Sequence, residues 1–284
     1  MKLQGKDPRD AVYGLVCKPG LPRITKVAAE VLAFFRDQGL EHQLEERVAM
    51  ELGEPGMPLG QMDPDLYVSI GGDGTILRTL QHTEAPLYAV NSGAVGFLAE
   101  VEPKFVTSGL RRILDGDFFV EERLRFKVLL DGERIPDAAN EVTVQSAKIA
   151  KMIKFQLHID SELMDTIRGD GVVVATATGS TGYAMSLGGP ILDPTIDAAV
   201  IVPIAPFRMA NRPVIVPADK NVIVTVMRRE SDFQDKDVKV VVDGQHGFGM
   251  QTGGEVRVSR SERKSRFVRF GGGFYERVRT KLVR

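Results

Sequence analysis

Apolar and polar positions follow two regimes along the chain. In the first third, short and nearly unbroken apolar runs stand at residues 12–17, 66–70 and 87–90. Runs of this length without alternation predict strands buried on both faces. The first is closed by Lys18, Pro19 and Gly20, and the second runs straight into Gly71-Gly72-Asp73-Gly74-Thr75. Between them, Val27, Val31, Leu32, Phe34 and Phe35 recur near helical spacing within residues 24–38, and Gly39 ends the segment. Residues 76–80 read as the start of a second helix and residues 105–114 as a third. Strands alternating with helices predict a parallel sheet covered on both sides.

The pattern changes near residue 118. From there to residue 270 strands dominate, with β-branched clusters at 172–174, 200–202, 214–216, 222–226 and 238–242. Asp131-Gly132, Asp160-Ser161 and Gly253-Gly254 are turn signals between such runs. One helix is expected near residues 181–187. After Gly271-Gly272-Gly273, the positions of Phe274, Val278 and Leu282 predict a short terminal helix with one apolar face. The expected architecture is an α/β N-terminal domain with a parallel sheet, residues 1–117, joined by a C-terminal helix, 271–284, that returns to it. A β-rich, sandwich-like domain fills residues 118–270.

Composition narrows the functional classes. The chain has 284 residues, 43% hydrophobic and 26% charged, enough for a core without covalent staples. Its 37 basic and 38 acidic side chains give a net charge of −1, which argues against a nucleic-acid binder. The basic stretches 257–264 and 277–284 read as a solvated face and a helix end carrying cations. Cys17 is the only cysteine and sits in an apolar run, so a core residue in a reducing compartment is expected. The first ten residues hold no apolar signal core, and no run reaches the roughly 18 apolar residues of a membrane helix. A cytoplasmic location without membrane partners is expected.

The chemistry concentrates in four places. Gly71-Gly72-Asp73-Gly74-Thr75 follows a buried strand at the end where α/β sheets bind ligands. Glycines there let backbone N–H groups approach phosphate oxygens, and a following helix adds its N-terminal partial charge. Asp73 beside such a site points to phosphoryl transfer: it orients or deprotonates an attacking hydroxyl, or holds Mg²⁺ through water. An ordinary strand-to-helix turn with an Asp N-cap is the plainer alternative. The sequence has neither Walker A nor Rossmann spacing. Asn140-Glu141 enters a strand and offers a donor, acceptors and a carboxylate. Arg168-Gly169-Asp170-Gly171 leads through a strand to Thr178-Gly179-Ser180-Thr181-Gly182-Tyr183, a compact polar floor with a ring able to stack on a base or ribose. Asp243-Gly244 is a hairpin turn by pattern, with a ligand-facing Asp as the other reading. His42, His82, His158 and His246 lack ligand spacing, so no direct protein metal site is expected.

Taken in order, these motifs resemble the NAD kinase family. They are residues 71–75; Asn91-Ser92-Gly93 with Gly96-Phe97-Leu98; Glu122-Arg123; Asn140-Glu141; the block 169–190; Pro203-Ile204-Ala205-Pro206; Asp243-Gly244; and Phe274-Tyr275-Glu276-Arg277. The chain departs from the family pattern at Ala94, Ala205, Phe207, Thr178 and Gly182. The resemblance implies a kinase moving the ATP γ-phosphate, with Mg²⁺, onto the adenosine 2′-hydroxyl of NAD held between the two domains. A neighbouring subunit of a homodimer or homotetramer often completes the site. It also implies roles: Asp73 as base; Gly71, Gly72, Gly74 and Thr75 at phosphate; and Asn140, Glu141, Arg168, Asp170, Thr178, Thr181, Gly182, Tyr183 and Asp243 at the dinucleotide. Another small-molecule or lipid kinase with the same glycine turn, or a non-catalytic dinucleotide sensor, are the competing readings.

Overall fold

The computed structural model describes residues 2–91, 96–149, 151–227, 238–271 and 274–282. The chain divides into two compact units, Met1–Glu122 with Ser265–Arg284, and Arg123–Lys264.

In the first unit, β1 (Tyr13–Cys17), α1 (Pro22–Asp37), β2 (His42–Leu44), α2 (Glu46–Leu52), β3 (Leu66–Gly71), α3 (Asp73–Leu80), β4 (Leu87–Asn91) and α4 (Val106–Leu114) follow in order. The strands lie β2-β1-β3-β4, all parallel. Tyr13, Leu15, Cys17, Leu66, Val68, Ile70, Tyr88 and Val90 join one core with α1, α2 and α4. The alternate positions Val16, Tyr67, Ser69, Leu87 and Ala89 point to the other face and are buried as well. Burial of both faces is why these strands read as continuous apolar runs. Burial also pushes the Cys17 thiol up to about 12.

Local signals set the helix limits. Pro22 opens α1 with its fixed φ. Gly39 at φ 64° closes it, while the Leu40 N–H reaches back to the Phe35 carbonyl at 2.9 Å. The expected helix at 76–80 in fact begins at Asp73. The expected helix at 181–187 is instead a 3₁₀ turn, Thr178–Thr181, followed by a single short α turn. His42–Leu44 and Glu46–Leu52 carry no periodic signal in the sequence and emerge only in the structure.

The second unit contains most of β5 (Phe119–Leu130), then β6 (Glu133–Ala138), β7 (Glu141–Ser146), β8 (Ile153–Ile159), β9 (Glu162–Gly169), β10 (Gly171–Thr176), α5 (Tyr183–Ser186), β11 (Ala198–Ile204), β12 (Val214–Pro217), β13 (Val222–Val226), β14 (Val238–Val242), β15 (His246–Met250) and most of β16 (Glu255–Arg269). One sheet runs β12-β11-β10-β7-β14-β15, antiparallel throughout. In the other, β13 pairs antiparallel with β16 and β8, and β8 with β9, while β5 pairs with β16 and β6. Val142, Val172 and Val240 from the first sheet share one core with Phe126, Phe155, Val224 and Val256 from the second, which is a sandwich. The opposite face of β10 and β11 is covered by Ala177, Ala184 and Leu192. Asp131 and Gly132, the two residues between paired Leu130 and Glu133, both have positive φ, as two-residue hairpins require; Asp243 and Gly244 also have positive φ, in a three-residue turn between paired Val242 and His246.

The last residues of β16 lie in the first unit, with Phe267 beside Leu87 of β4 in parallel. The terminal helix α6 (Phe274–Leu282) belongs to that unit too. No helix among the described residues is long and apolar enough to cross a membrane. Ser92, Gly93 and Ala94, the Gly272-Gly273 joint and the tail residues 283–284, all singled out in the sequence, lie outside the described residues.

Candidate functional site

In the first unit the glycine turn is built around close approach. Gly71 ends β3, and a Cβ there would run into the Thr75 side chain. Gly72 is the N-cap of α3 at φ −92°, and a Cβ on it would meet nothing within 4 Å. Neither glycine has positive φ. What glycine supplies here is room, not a left-handed backbone. Thr75 folds back on Gly71, and its N–H bonds the Gly72 carbonyl at 2.9 Å. The earlier N–H groups of the first turn point out of the helix, where an anion would meet them.

Asp73 is the first helical residue, not the N-cap, and its side chain caps nothing in its own helix. Its carboxylate instead reaches across to residues 96–98. Oδ2 accepts from the Phe97 N–H at 2.9 Å and Oδ1 from the Leu98 N–H at 3.3 Å. A Cβ on Gly96 would lie 2.5 Å from Oδ1, so glycine at 96 leaves the space that Asp73 occupies.

In the second unit a buried polar knot surrounds the start of β7. Asp243, 3% exposed, accepts from the N–H groups of Ala139 (2.8 Å), Asn140 (2.7 Å) and Glu141 (3.0 Å). Its own N–H returns to the Glu141 carbonyl at 2.9 Å. The Asp243 carboxylate therefore faces inward and shapes the backbone that presents Asn140 and Glu141. A direct ligand contact, the role anticipated for it, does not fit this placement. Thr176 adds a second tie, donating to the Ala139 carbonyl at 2.8 Å and accepting from the Gly179 N–H at 3.0 Å. Gly179 packs so closely on Asn140 that a Cβ would overlap its carbonyl.

Asn140 and Glu141 are each 8% exposed. Asn140 Oδ1 and Glu141 Oε2 are buried without a hydrogen-bond partner among the described residues. A Cβ on Gly182 would stand 3.0 Å from Glu141 Oε2 and 3.4 Å from Asn140 Nδ2. Burial first, and then the Asp243 charge, push the Glu141 carboxyl up to about 8, against one N–H from Tyr183. Burial likewise raises Asp243, while its three N–H donors and Arg125 pull the other way. Thr178 is buried, Thr181 donates to the Thr178 carbonyl at 3.1 Å, and Tyr183 is 40% exposed. Ser180 is structural: its hydroxyl bonds the Ala177 carbonyl and receives the Leu192 N–H.

The fold thus brings together Asn140, Glu141, Thr178, Thr181, Gly182 and Tyr183. Arg168 and Asp170 are elsewhere. Glu141 stands opposite Ala175 of β10, whereas Gly171, next to Asp170, stands opposite Gln145. Asp170 is one step further out, beside Ser146, five positions and about 17 Å along the strand from Glu141. Exposed Arg168 stacks on Phe207 at 5.4 Å.

Sequence reasoning missed a buried ion cluster in the first unit. Arg269, 3% exposed, bonds Glu121 at 2.6 Å, Glu100 at 3.0 Å and the Leu98 carbonyl at 3.1 Å. The one available signal was a cation inside the apolar stretch Phe267-Val268-Arg269-Phe270.

Family models match both halves of the chain: an ATP-NAD kinase N-terminal domain over residues 13–118 and an ATP-NAD kinase C-terminal domain over 139–270. An NAD kinase of Thermococcus kodakarensis is 39% identical over 95% of this chain and 98% of its own length. One from Methanothermobacter thermautotrophicus is 38% identical over 95% of each. A crystal structure of an NAD kinase from Archaeoglobus fulgidus in complex with ATP matches with a TM-score of 0.75 and 31% identity, over 95% of this chain and 96% of that one. Yeast NADH kinase complexed with NADH, at 22% identity and a TM-score of 0.89 over 96% of this chain and 87% of that one, shares the fold. With both halves matched and relatives spanning nearly the full length, the chain belongs to the ATP-NAD kinase family, enzymes that phosphorylate NAD to NADP.

Proposed function

We propose that, in the NAD kinase reaction this chain catalyses, Asn140, Glu141, Thr178, Thr181, Gly182 and Tyr183 hold the dinucleotide while Asp73 serves the reacting hydroxyl. The supporting observation is the pair of buried acceptors without partners, Asn140 Oδ1 and Glu141 Oε2. Buried acceptors are seldom left bare, and the hydroxyls and amides of a nucleoside are the donors they lack. Asp243 is a positioning residue behind them, and exposed Tyr183 is the stacking surface. Gly71 makes room for the Thr75 side chain, Gly72 leaves the approach to the first turn of α3 open, Gly74 lies within that turn, and Thr75 closes it.

Asp73 accepts the proton of the 2′-hydroxyl as its oxygen bonds the γ-phosphorus of ATP, and the bond to the ADP oxygen breaks. Two N–H donors fix the carboxylate's direction, which suits a reaction that asks mainly for positioning. Mg²⁺ is taken as part of the ATP substrate, neutralising charge on the moving phosphoryl group. Arg168, near the end of β9, and Asp170, between β9 and β10, are assigned to a neighbouring copy's site in a dimer or tetramer working in the cytoplasm.

The test is NADP formation from NAD and ATP·Mg²⁺, repeated with NADH and with polyphosphate, for the wild type and Asp73→Asn. We expect Asp73→Asn to lower kcat by about 10²-fold with the KM for NAD largely kept. Near-normal turnover would remove Asp73 from the chemistry.

A further inference from the structure

Within the first unit, both backbone polar groups of Leu98 are held. Its N–H donates to Asp73 Oδ1 at 3.3 Å, and its carbonyl accepts from Arg269 Nη1 at 3.1 Å. Arg269 is itself fixed by two carboxylates, Glu121 at Nε (2.6 Å) and Glu100 at Nη1 (3.0 Å), and lies 4.9 Å from the Phe267 ring centre. Its side chain is 4% exposed and that of Glu100 5%. Glu100 is anchored in turn: its Oε1 accepts from the Phe270 N–H at 2.9 Å, and its own N–H bonds the Ala89 carbonyl of β4 at 2.8 Å. Arg277 of the terminal helix approaches Glu100 at 3.8 Å.

We propose that Arg269 is a positioning residue for the phosphoryl transfer: through the Leu98 backbone it sets the direction of the Asp73 carboxylate. This rests on the role proposed above for Asp73. A buried guanidinium with three fixed acceptors is a rigid post. The Leu98 N–H and carbonyl belong to two planar peptides joined at one Cα, so holding the carbonyl leaves the N–H only the two Leu98 dihedrals to move by. Lysine keeps the charge but offers no planar fork, so it cannot hold Glu121, Glu100 and the Leu98 carbonyl in the same geometry. Released from Arg269, the 96–98 backbone is free to shift, and the Asp73 oxygens follow their N–H donors. A displacement of about 1 Å at a reacting group is enough to cost on the order of 10²-fold in rate.

The experiment is a double-mutant cycle in kcat and KM with Arg269→Lys, Asp73→Asn and the double variant, on folded enzyme judged by its melting curve. Expected are a kcat for Arg269→Lys lowered about 10- to 100-fold, a KM for NAD within about twofold, and almost no further loss when Asp73→Asn already carries the defect. Packing damage alone would instead lower both backgrounds by the same factor. That additive result, or a kcat for Arg269→Lys within about twofold of wild type, overturns the inference while leaving an impaired Asp73→Asn to uphold the role of Asp73. Normal turnover of Asp73→Asn overturns both. Should Arg269→Lys fail to fold, Glu121→Gln, which loosens the Nε end only, is read through the same cycle with a drop of about 3- to 10-fold expected and the same additivity as refutation.

Discussion

Replacing Glu141 with Gln keeps the shape of the side chain and removes its titration. Burial and the nearby Asp243 charge raise the folded carboxyl from 4.5 to about 8. A tenfold change in proton affinity is worth about 1.4 kcal/mol, so a rise through about 3.5 pH units corresponds to roughly 5 kcal/mol. The direction follows from proton counting. Between the two values the folded chain keeps a proton that the unfolded chain has lost, so stability falls as pH rises through this window and levels off above about 8. The stabilisation is complete below 4.5. Asp243 titrates in both proteins and largely cancels in the difference. Glu141→Gln should therefore match the wild type near pH 4.5 and exceed it by several kcal/mol at pH 9. Urea unfolding by far-UV circular dichroism at each pH measures this; the chain has no Trp, so indole fluorescence is no probe. Parallel stability-against-pH curves for the two proteins would refute the reasoning, since they would mean that Glu141 does not keep its proton in the fold. Saturating NAD should flatten the wild-type curve, because ligand hydroxyls donated to Oε2 favour the ionised form.

Asp243→Asn should destabilise the second unit by about 2–4 kcal/mol, because an amide brings an N–H donor against backbone N–H groups that need an acceptor; denaturant midpoints report it. Gly179→Ala should cost about 2 kcal/mol or more, since the colliding atoms are the Asn140 backbone and have no rotamer to escape into; a thermal melt with an unchanged midpoint would contradict the packing. Tyr183→Ala should weaken NAD binding by about 1–3 kcal/mol, the range for an aromatic ring stacked on a base, with ATP use intact; an unaltered KM for NAD would deny the stacking role.

The strands of the first unit are legible because both faces of one sheet are buried, Leu15, Val68 and Val90 on one and Val16, Tyr67 and Ala89 on the other, which leaves no polar alternation to confuse the pattern. Three-residue β2 has no period to read, and α2, with Met50 exposed and only Val48 and Ala49 buried, barely shows one. The start of α3 is masked because Gly-Asp-Gly-Thr reads as a loop by composition, although its backbone already turns as helix. Asn140 and Glu141 are legible as polar residues at a strand start. The inward use of Asp243 is not, since its partners lie 102 to 104 residues away. Arg269 is harder still: its acceptors are 148, 169 and 171 positions off, and only folding brings them together.

Cys17 is 0% exposed on the inner strand β1, and its neighbours keep the sulfur protonated at any ordinary pH. A disulfide-exchange reagent therefore finds no thiolate to attack until that strand leaves the sheet. Because the second unit contains no sulfhydryl, the labelling rate is a chemical clock for excursions of the first unit alone. Slowing of that clock by ATP or by NAD would report, without mutation, which substrate tightens the half of the chain that carries Asp73.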